Sequence, residues 1–147
     1  MPKSSVAKTA LALSVITFFG AVIFLLIPMR YHYLTLGSAQ VKITWATTKS
    51  QQVKGLSGRS NLKKDEGLLF VFSESAKEHC VWMKDMNFAI DVLWFDESKK
   101  IVESIDDLQP STYPQTFCPK QNVRYMLEVN SGSIQKNQWK IGQQAAF

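Results

Sequence analysis

Residues 90–105 read IDVLWFDESKKIVESI, and this stretch decides the fold class. Ile90–Phe95 is a continuous apolar run interrupted only by Asp91, rich in aromatic and branched side chains, which predicts a strand buried on both faces. Ile101–Ile105 predicts a second strand. Asp96–Lys100 between them is a polar connection slightly longer than the tightest hairpin turns, so the two strands should pair antiparallel. Because strand side chains alternate, Asp91 points opposite to Ile90 and Val92. On a solvated face it needs no explanation, whereas inside a barrel it demands a partner.

Outward from this hairpin the same signal repeats. Val41–Ala46 (VKITWA) alternates apolar and polar, Gly67–Phe72 (GLLFVF) is continuously apolar, and Tyr125–Val129 (YMLEV) is a further short run, giving five predicted strands. Helical signal is thin. Thr48–Leu56 predicts a short helix capped by Thr47 or Thr48 and ended by Gly58, and Ser133–Asn137 one further turn. Pro110, Pro114 and Pro119 mark 109–122 as an irregular loop, the kind of segment that often carries function. There is no internal repeat. The expectation is a mainly β fold, a small barrel-like or sandwich-like domain with one or two short helices, preceded by a single transmembrane helix.

That transmembrane helix is read from residues 10–29, ALALSVITFFGAVIFLLIPM, in which 16 of 20 residues are apolar and none is charged. At ~1.5 Å per residue they would span ~30 Å, the thickness of the hydrocarbon layer. Lys3 and Lys8 favour a cytoplasmic N-terminus, and Tyr31 and Tyr33 sit where amphipathic rings favour the headgroup layer. The division expected is a cytoplasmic N-terminus at 1–9, a signal-anchor helix at 10–29, a linker at 30–40 and a β domain at 41–147. The expected location is the cell membrane, single-pass, with the C-terminal domain extracytoplasmic. A cleaved secretory peptide is the competing reading, because Gly37-Ser38-Ala39 offers small residues for a peptidase, although its apolar run is long for that purpose.

The chain has 147 residues and a mass of 16.7 kDa, with 46% hydrophobic and 20% charged residues, which leaves room for one domain and an accessory segment. Its formal net charge is +5, but from residue 40 onward 14 basic residues face 12 acidic ones. No basic stripe suggests nucleic acid. Two cysteines, Cys80 and Cys118, would lie in an oxidising compartment, where they can bridge; sequence leaves open whether their Cα atoms come within ~7 Å. Neither has a CxxC partner, and His79 is the sole nearby soft ligand, so no metal site is implied. His79 itself reads as a surface residue.

The densest group of chemistry-bearing residues is Trp82-Met83-Lys84-Asp85-Met86-Asn87-Phe88-Ala89-Ile90-Asp91-Val92-Leu93-Trp94-Phe95-Asp96. Together with Gly55–Arg59 and Gly67–Phe72 before it and Tyr125–Gly132 after it, this segment resembles the DUF192 (UPF0127) family, over roughly residues 41–144. The resemblance implies a small β domain, often exported, without an established activity or cofactor. Two departures stand out: Ser57 and Gly58 occupy positions where the family usually carries a Met and often an aromatic, and Asp85-Met86 replaces a common Asn-Thr pair.

The candidate ligand or acid/base cluster is Arg59, Trp82, Lys84, Asp85, Asp91 and Glu128. Arg59 could clamp an anion, or pair Asp91 or Glu128 to lock a loop to the sheet; the structural role is favoured. Lys84 and Asp85 would do acid/base work only if desolvated, and exposed turn charges are the simpler reading. Asp91 and Glu128 would form an acid/base pair if they met. Trp45, Trp82 and Trp94 could stack on a ligand but are read as core. Two functions follow. The first is a membrane-tethered module binding an envelope glycan or a protein partner, favoured because the sequence has no nucleophile elbow, no metal-spaced ligand set and no phosphate-cradling glycine loop. The alternative is a hydrolase or lyase acting on envelope material through the carboxylates and Lys84.

Overall fold

The computed structural model describes residues 32–147. The expected cytoplasmic segment 1–9, the expected anchor 10–29 and Tyr31 lie outside the described residues, among which no helix is long and apolar enough to cross a membrane. In chain order the elements are β1 (His32–Leu36), β2 (Ala39–Ala46), α1 (Lys49–Lys54), β3 (Glu66–Ala76), β4 (Val81–Trp82), β5 (Ile90–Phe95), β6 (Ile101–Leu108), a 3-10 turn (Pro110–Thr112), β7 (Thr116–Phe117), β8 (Val123–Asn130), α2 (Ser133–Asn137) and β9 (Ala145–Ala146). Seven strands form one sheet in the order β6-β5-β8-β3-β2-β1-β9, and β4 and β7 form a separate two-stranded ribbon.

The 90–105 hairpin is present as read: β5 and β6 pair antiparallel. β5 has β6 on one side and β8 on the other, and all six of its residues are buried, which is why its sequence is nearly continuously apolar. β3 lies between β8 and β2. Its pairing with β2 is parallel, and α1 supplies the crossover that a parallel pair requires. The sheet curls toward closure. Ile101 N donates to Gln143 O at 2.9 Å, Gly142 N to Ile101 O at 2.8 Å and Ala145 N to Lys99 O at 2.9 Å, so the segment leading into β9 reaches the β6 edge, with Lys100 bridged to Gln144. The result is a mainly β half-barrel with two short helices.

Alternation along the strands divides the core in two. Leu68, Phe70, Val92, Trp94 and Met126 belong to one apolar cluster, and Leu69, Leu93, Phe95, Leu127 and Val129 to the other. Gly67 is placed where the second cluster is tightest: an added Cβ would stand 3.0 Å from both Leu127 Cδ1 and Val41 Cγ1. The first cluster is covered by the β4–β7 ribbon and the chain around α1, and this is the side that carries the site.

Three expectations change. Within the expected linker 30–40, the described residues 32–40 form β1 and the start of β2, joined by a turn at Gly37 with φ +63°, and Leu34 and Leu36 are buried at 0% and 1% exposure. The first helix stops at Gly55 rather than Gly58, since Gly55 has φ 51° and ψ −131°, a conformation essentially restricted to glycine. The proline-rich loop is partly ordered into the 3-10 turn and β7, whose two residues pair with β4.

Candidate functional site

Register separates the two carboxylates that sequence could have paired. On β5 and β8, Asp91 is opposite Val129 and Val92 is opposite Glu128, so Asp91 and Glu128 project to opposite faces of the sheet. Asp91 is fully buried and saturated by backbone donors. Its Oδ1 accepts from Asp107 N at 2.9 Å and Gly132 N at 3.2 Å, and its Oδ2 accepts from Ile134 N at 2.8 Å. A bulge in β6 between the partners of Ile90 and Val92 places Asp107, at φ 52°, where its amide reaches Asp91. Asp107 Oδ1 in turn accepts from Ser131 Oγ at 2.6 Å. Asp91 is therefore a structural staple that caps the amides opening α2 and ties them to the bulge, not an acid/base group.

Glu128 is the opposite case. It is 5% exposed, flanked in the sheet by Leu68 and Val92, and its Oε2 is buried with no hydrogen-bond partner among the described residues. Charged carboxylates are strongly disfavoured without compensation in such surroundings. Burial pushes the Glu128 carboxyl from an ordinary value of 4.5 up to about 8, and the positive field of Arg59 offsets part of that rise. At neutral pH the group is a carboxylic acid, able to donate one hydrogen bond and accept others.

This acid sits at the floor of a cleft of ≈ 690 Å³ with both polar and apolar walls, lined by residues that include Gly55, Phe70, Phe72, Trp82, Met126 and Glu128. One wall is α1 and the turn after it. Thr48 caps α1 and Gln51 closes the reciprocal capping bond, while Gln52 Nε2 donates to Ala46 O at 3.3 Å and Val71 O at 2.9 Å, fastening the helix across β2 and β3. Gly55 brings the turn down to the acid: a Cβ there would be 3.6 Å from Phe70 Cζ and 3.7 Å from Glu128 Oε2.

The other wall is the β4–β7 ribbon. Only two residue pairs join it, Val81 with Phe117 and Trp82 with Thr116, and the disulfide between Cys80 and Cys118 reinforces it. Behind it, Phe72 stacks on the His79 ring at 3.6 Å and Trp94 Nε1 donates to His79 O at 2.9 Å. His79 is thus half-buried and packed, not a simple surface residue. The walls meet where Ser57 Oγ donates to Lys84 O at 2.7 Å, Gly58 N to Asp85 O at 2.8 Å and Asn87 Nδ2 to Arg59 O at 2.8 Å.

The six candidates accordingly part company. Trp82, 45% exposed, and Glu128 line the cleft. Arg59 is exposed on the adjoining loop and reaches Glu128 through its field. Lys84 and Asp85 contribute their carbonyls to the junction while their residues stay exposed, and Asp91 belongs to the far face. Of the tryptophans, Trp94 is core at 0% exposure, Trp45 is half-buried and Trp82 is exposed. Sequence reading missed Gly55, Phe70, Phe72 and Met126 as lining residues; their signal was the alternation in β3 and β8 that sends Phe70, Met126 and Glu128 to one face. Among the described residues, no group of three or more His, Cys, Asp or Glu could hold a metal ion.

The fold has solved counterparts. A Sinorhizobium meliloti 1021 protein described as a candidate transcription regulator superposes with a TM-score of 0.72 at 23% identity, over 80% of this chain and 95% of its own. A Novosphingobium aromaticivorans DSM 12444 protein of unknown function gives 0.72 at 19% identity, over 83% of this chain and 89% of its own. At these identities the likeness is one of fold. No curated protein matches the chain. The model of DUF192, described as "Uncharacterized ACR, COG1430", matches residues 32–147, the whole described half-barrel with its cleft and its staple, and the chain belongs to that family.

Proposed function

We propose that the chain is a membrane-tethered binding module: residues 10–29 anchor it, the β domain lies outside the cytoplasm, and the Glu128 cleft takes an amphipathic envelope ligand. The observation that carries the binding reading is the buried, unpartnered Glu128 oxygen at the floor of an open cleft, since a buried polar group without a partner is costly and a ligand can supply that partner. Exposed Trp82 and Val53 on its walls supply apolar contact area for the ligand's body. The extracytoplasmic placement is supported by the disulfide, which persists in oxidising compartments. Retention of the anchor is supported by β1: cleavage after Ala39 would remove a strand carrying two fully buried leucines.

The enzymatic alternative loses its pair of carboxylates, because Asp91 is saturated on the other face of the sheet. Glu128 is then the one member of the expected pair left at the cleft, with Glu74 and Glu78 on the far wall, and a neutral carboxyl between the apolar sheet neighbours Leu68 and Val92 fits recognition better than hydrolysis.

The test is a fluorescence titration of the full-length protein in lipid nanodiscs with glycan, peptide and lipid pools fractionated from solubilised envelope. One pool should quench tryptophan emission saturably in the wild type and fail to do so in Trp82→Ala. Unsaturable responses to every pool, or a saturable response that Trp82→Ala leaves intact, would contradict the proposal.

A further inference from the structure

Two kinds of group would engage a buried carboxyl in a way that depends on its protonation: a cation, which requires the ionised form, or a hydrogen-bond acceptor, which requires the acid; a neutral donor can bond to either. The surroundings discriminate between them. Around the cleft, α1 contributes Lys49 and Lys54, the far side contributes Glu74 from β3 and Glu78 and His79 ahead of β4, and Arg59 adds its field from the loop after α1. Positive charge thus stands on the helix side, the side from which Gly55 approaches Glu128.

Two of the cleft's aromatic rings are engaged with other rings, Phe72 stacking on His79 at 3.6 Å and on Phe70 at 6.2 Å, while Trp82 stays exposed on the ribbon wall. The neighbours of Glu128 in the sheet are apolar: Leu68 and Val92 stand opposite it, and Phe70 and Met126 belong to the same apolar cluster as both. No ion pair in the described structure reaches Glu128, so only the field of Arg59 favours the carboxylate, and burial outweighs it.

We infer that the deep end of the cleft is a subsite for a carbonyl oxygen, amide or acyl, carried on an apolar body, with the Glu128 hydroxyl as donor and Arg59 and the lysines of α1 disfavouring an amine in its place. This inference rests on the cleft being the ligand site. An acid donor in a desolvated pocket forms a hydrogen bond that water cannot easily replace, and discrimination between an acceptor and a donor head group is large when the mismatch leaves buried groups unpaired.

The experiment uses two probes with one body, 2-naphthamide and 2-naphthylmethylamine, titrated by calorimetry at pH 6.5 into the full-length protein in nanodiscs, with empty nanodiscs subtracted. The amide should bind saturably and the amine at least ~10-fold more weakly. Glu128→Gln, whose side-chain N–H can donate in place of the hydroxyl, should keep amide binding within ~3-fold, and Glu128→Leu should weaken it ~10-fold or more. Tighter binding of the amine than of the amide, with loss in Glu128→Gln, overturns the carbonyl subsite while leaving the cleft as the ligand site, provided Trp82→Ala abolishes that binding. Failure of both probes to saturate overturns the subsite and the cleft reading together.

Discussion

Asp91→Ala is expected to lower the unfolding free energy of the domain by roughly 3–5 kcal/mol, the range for stripping a buried charged acceptor from its donors. The substitution orphans three backbone amides at once, those of Asp107, Gly132 and Ile134, in a position closed to water. It also frees the bulge of β6 from the turn that opens α2. Asp91→Asn should fall between wild type and Ala, because one amide oxygen can still accept two of the bonds while its NH2 faces a third donor. Urea unfolding followed by circular dichroism measures this. Wild-type stability in Asp91→Ala would show that the staple contributes nothing, and a merely catalytic Asp91 would behave in that way.

Joint replacement of Cys80 and Cys118 by serine should cost about 3–4 kcal/mol in the chain-entropy account, since the bridge closes a loop with a sequence separation of 38. The loss should be concentrated in the β4–β7 ribbon, which has only two residue pairs of its own. Trp82 belongs to that ribbon, so the cleft rim should loosen before the seven-stranded sheet does. Thermal unfolding with and without reductant reads the global part. Faster amide hydrogen exchange at Val81 and Phe117 than at Val92 and Leu127 reads the local part. An unchanged melting temperature and unchanged exchange would mean that the ribbon is held by packing alone.

How much of this was legible in the sequence depends on whether a residue's role is set locally or by register. The five long strands are legible because burial on one face leaves a period of two in the apolar residues and burial on both leaves a continuous run, and the start of α1 at Thr47 or Thr48 is legible because the capping bond, made by Thr48, spans only three residues. β1 reads as linker because it follows the apolar stretch 10–29 closely. β4, β7 and β9 are two residues each, too short for any period to register. At the site, Trp82 and Glu128 were singled out for their chemistry, yet nothing local distinguishes Glu128 from Asp91, which is also a carboxylate in an apolar strand. The pairing of β5 with β8 decides between them, sending one to a ring of amides and the other to an empty-handed position under Gly55. That pairing joins residues far apart in the chain and is invisible until the sheet is assembled.

An acid that stays protonated when folded but ionises when unfolded makes stability depend on pH in a definite direction. Between 4.5 and about 8, the folded chain holds a proton that the unfolded chain releases, so the contribution of Glu128 falls as pH rises through that window and levels off above it. Glu128→Gln should remove that slope, and Glu128 itself can be watched directly. The carboxyl carbon of Glu128, assigned by its absence in Glu128→Gln and followed by carbon-13 NMR through a pH series of the full-length protein, should titrate with a midpoint near 8. A midpoint in the usual carboxylate range near 4.5 would mean that the oxygen is solvated or paired and that the cleft has no neutral acid at its floor.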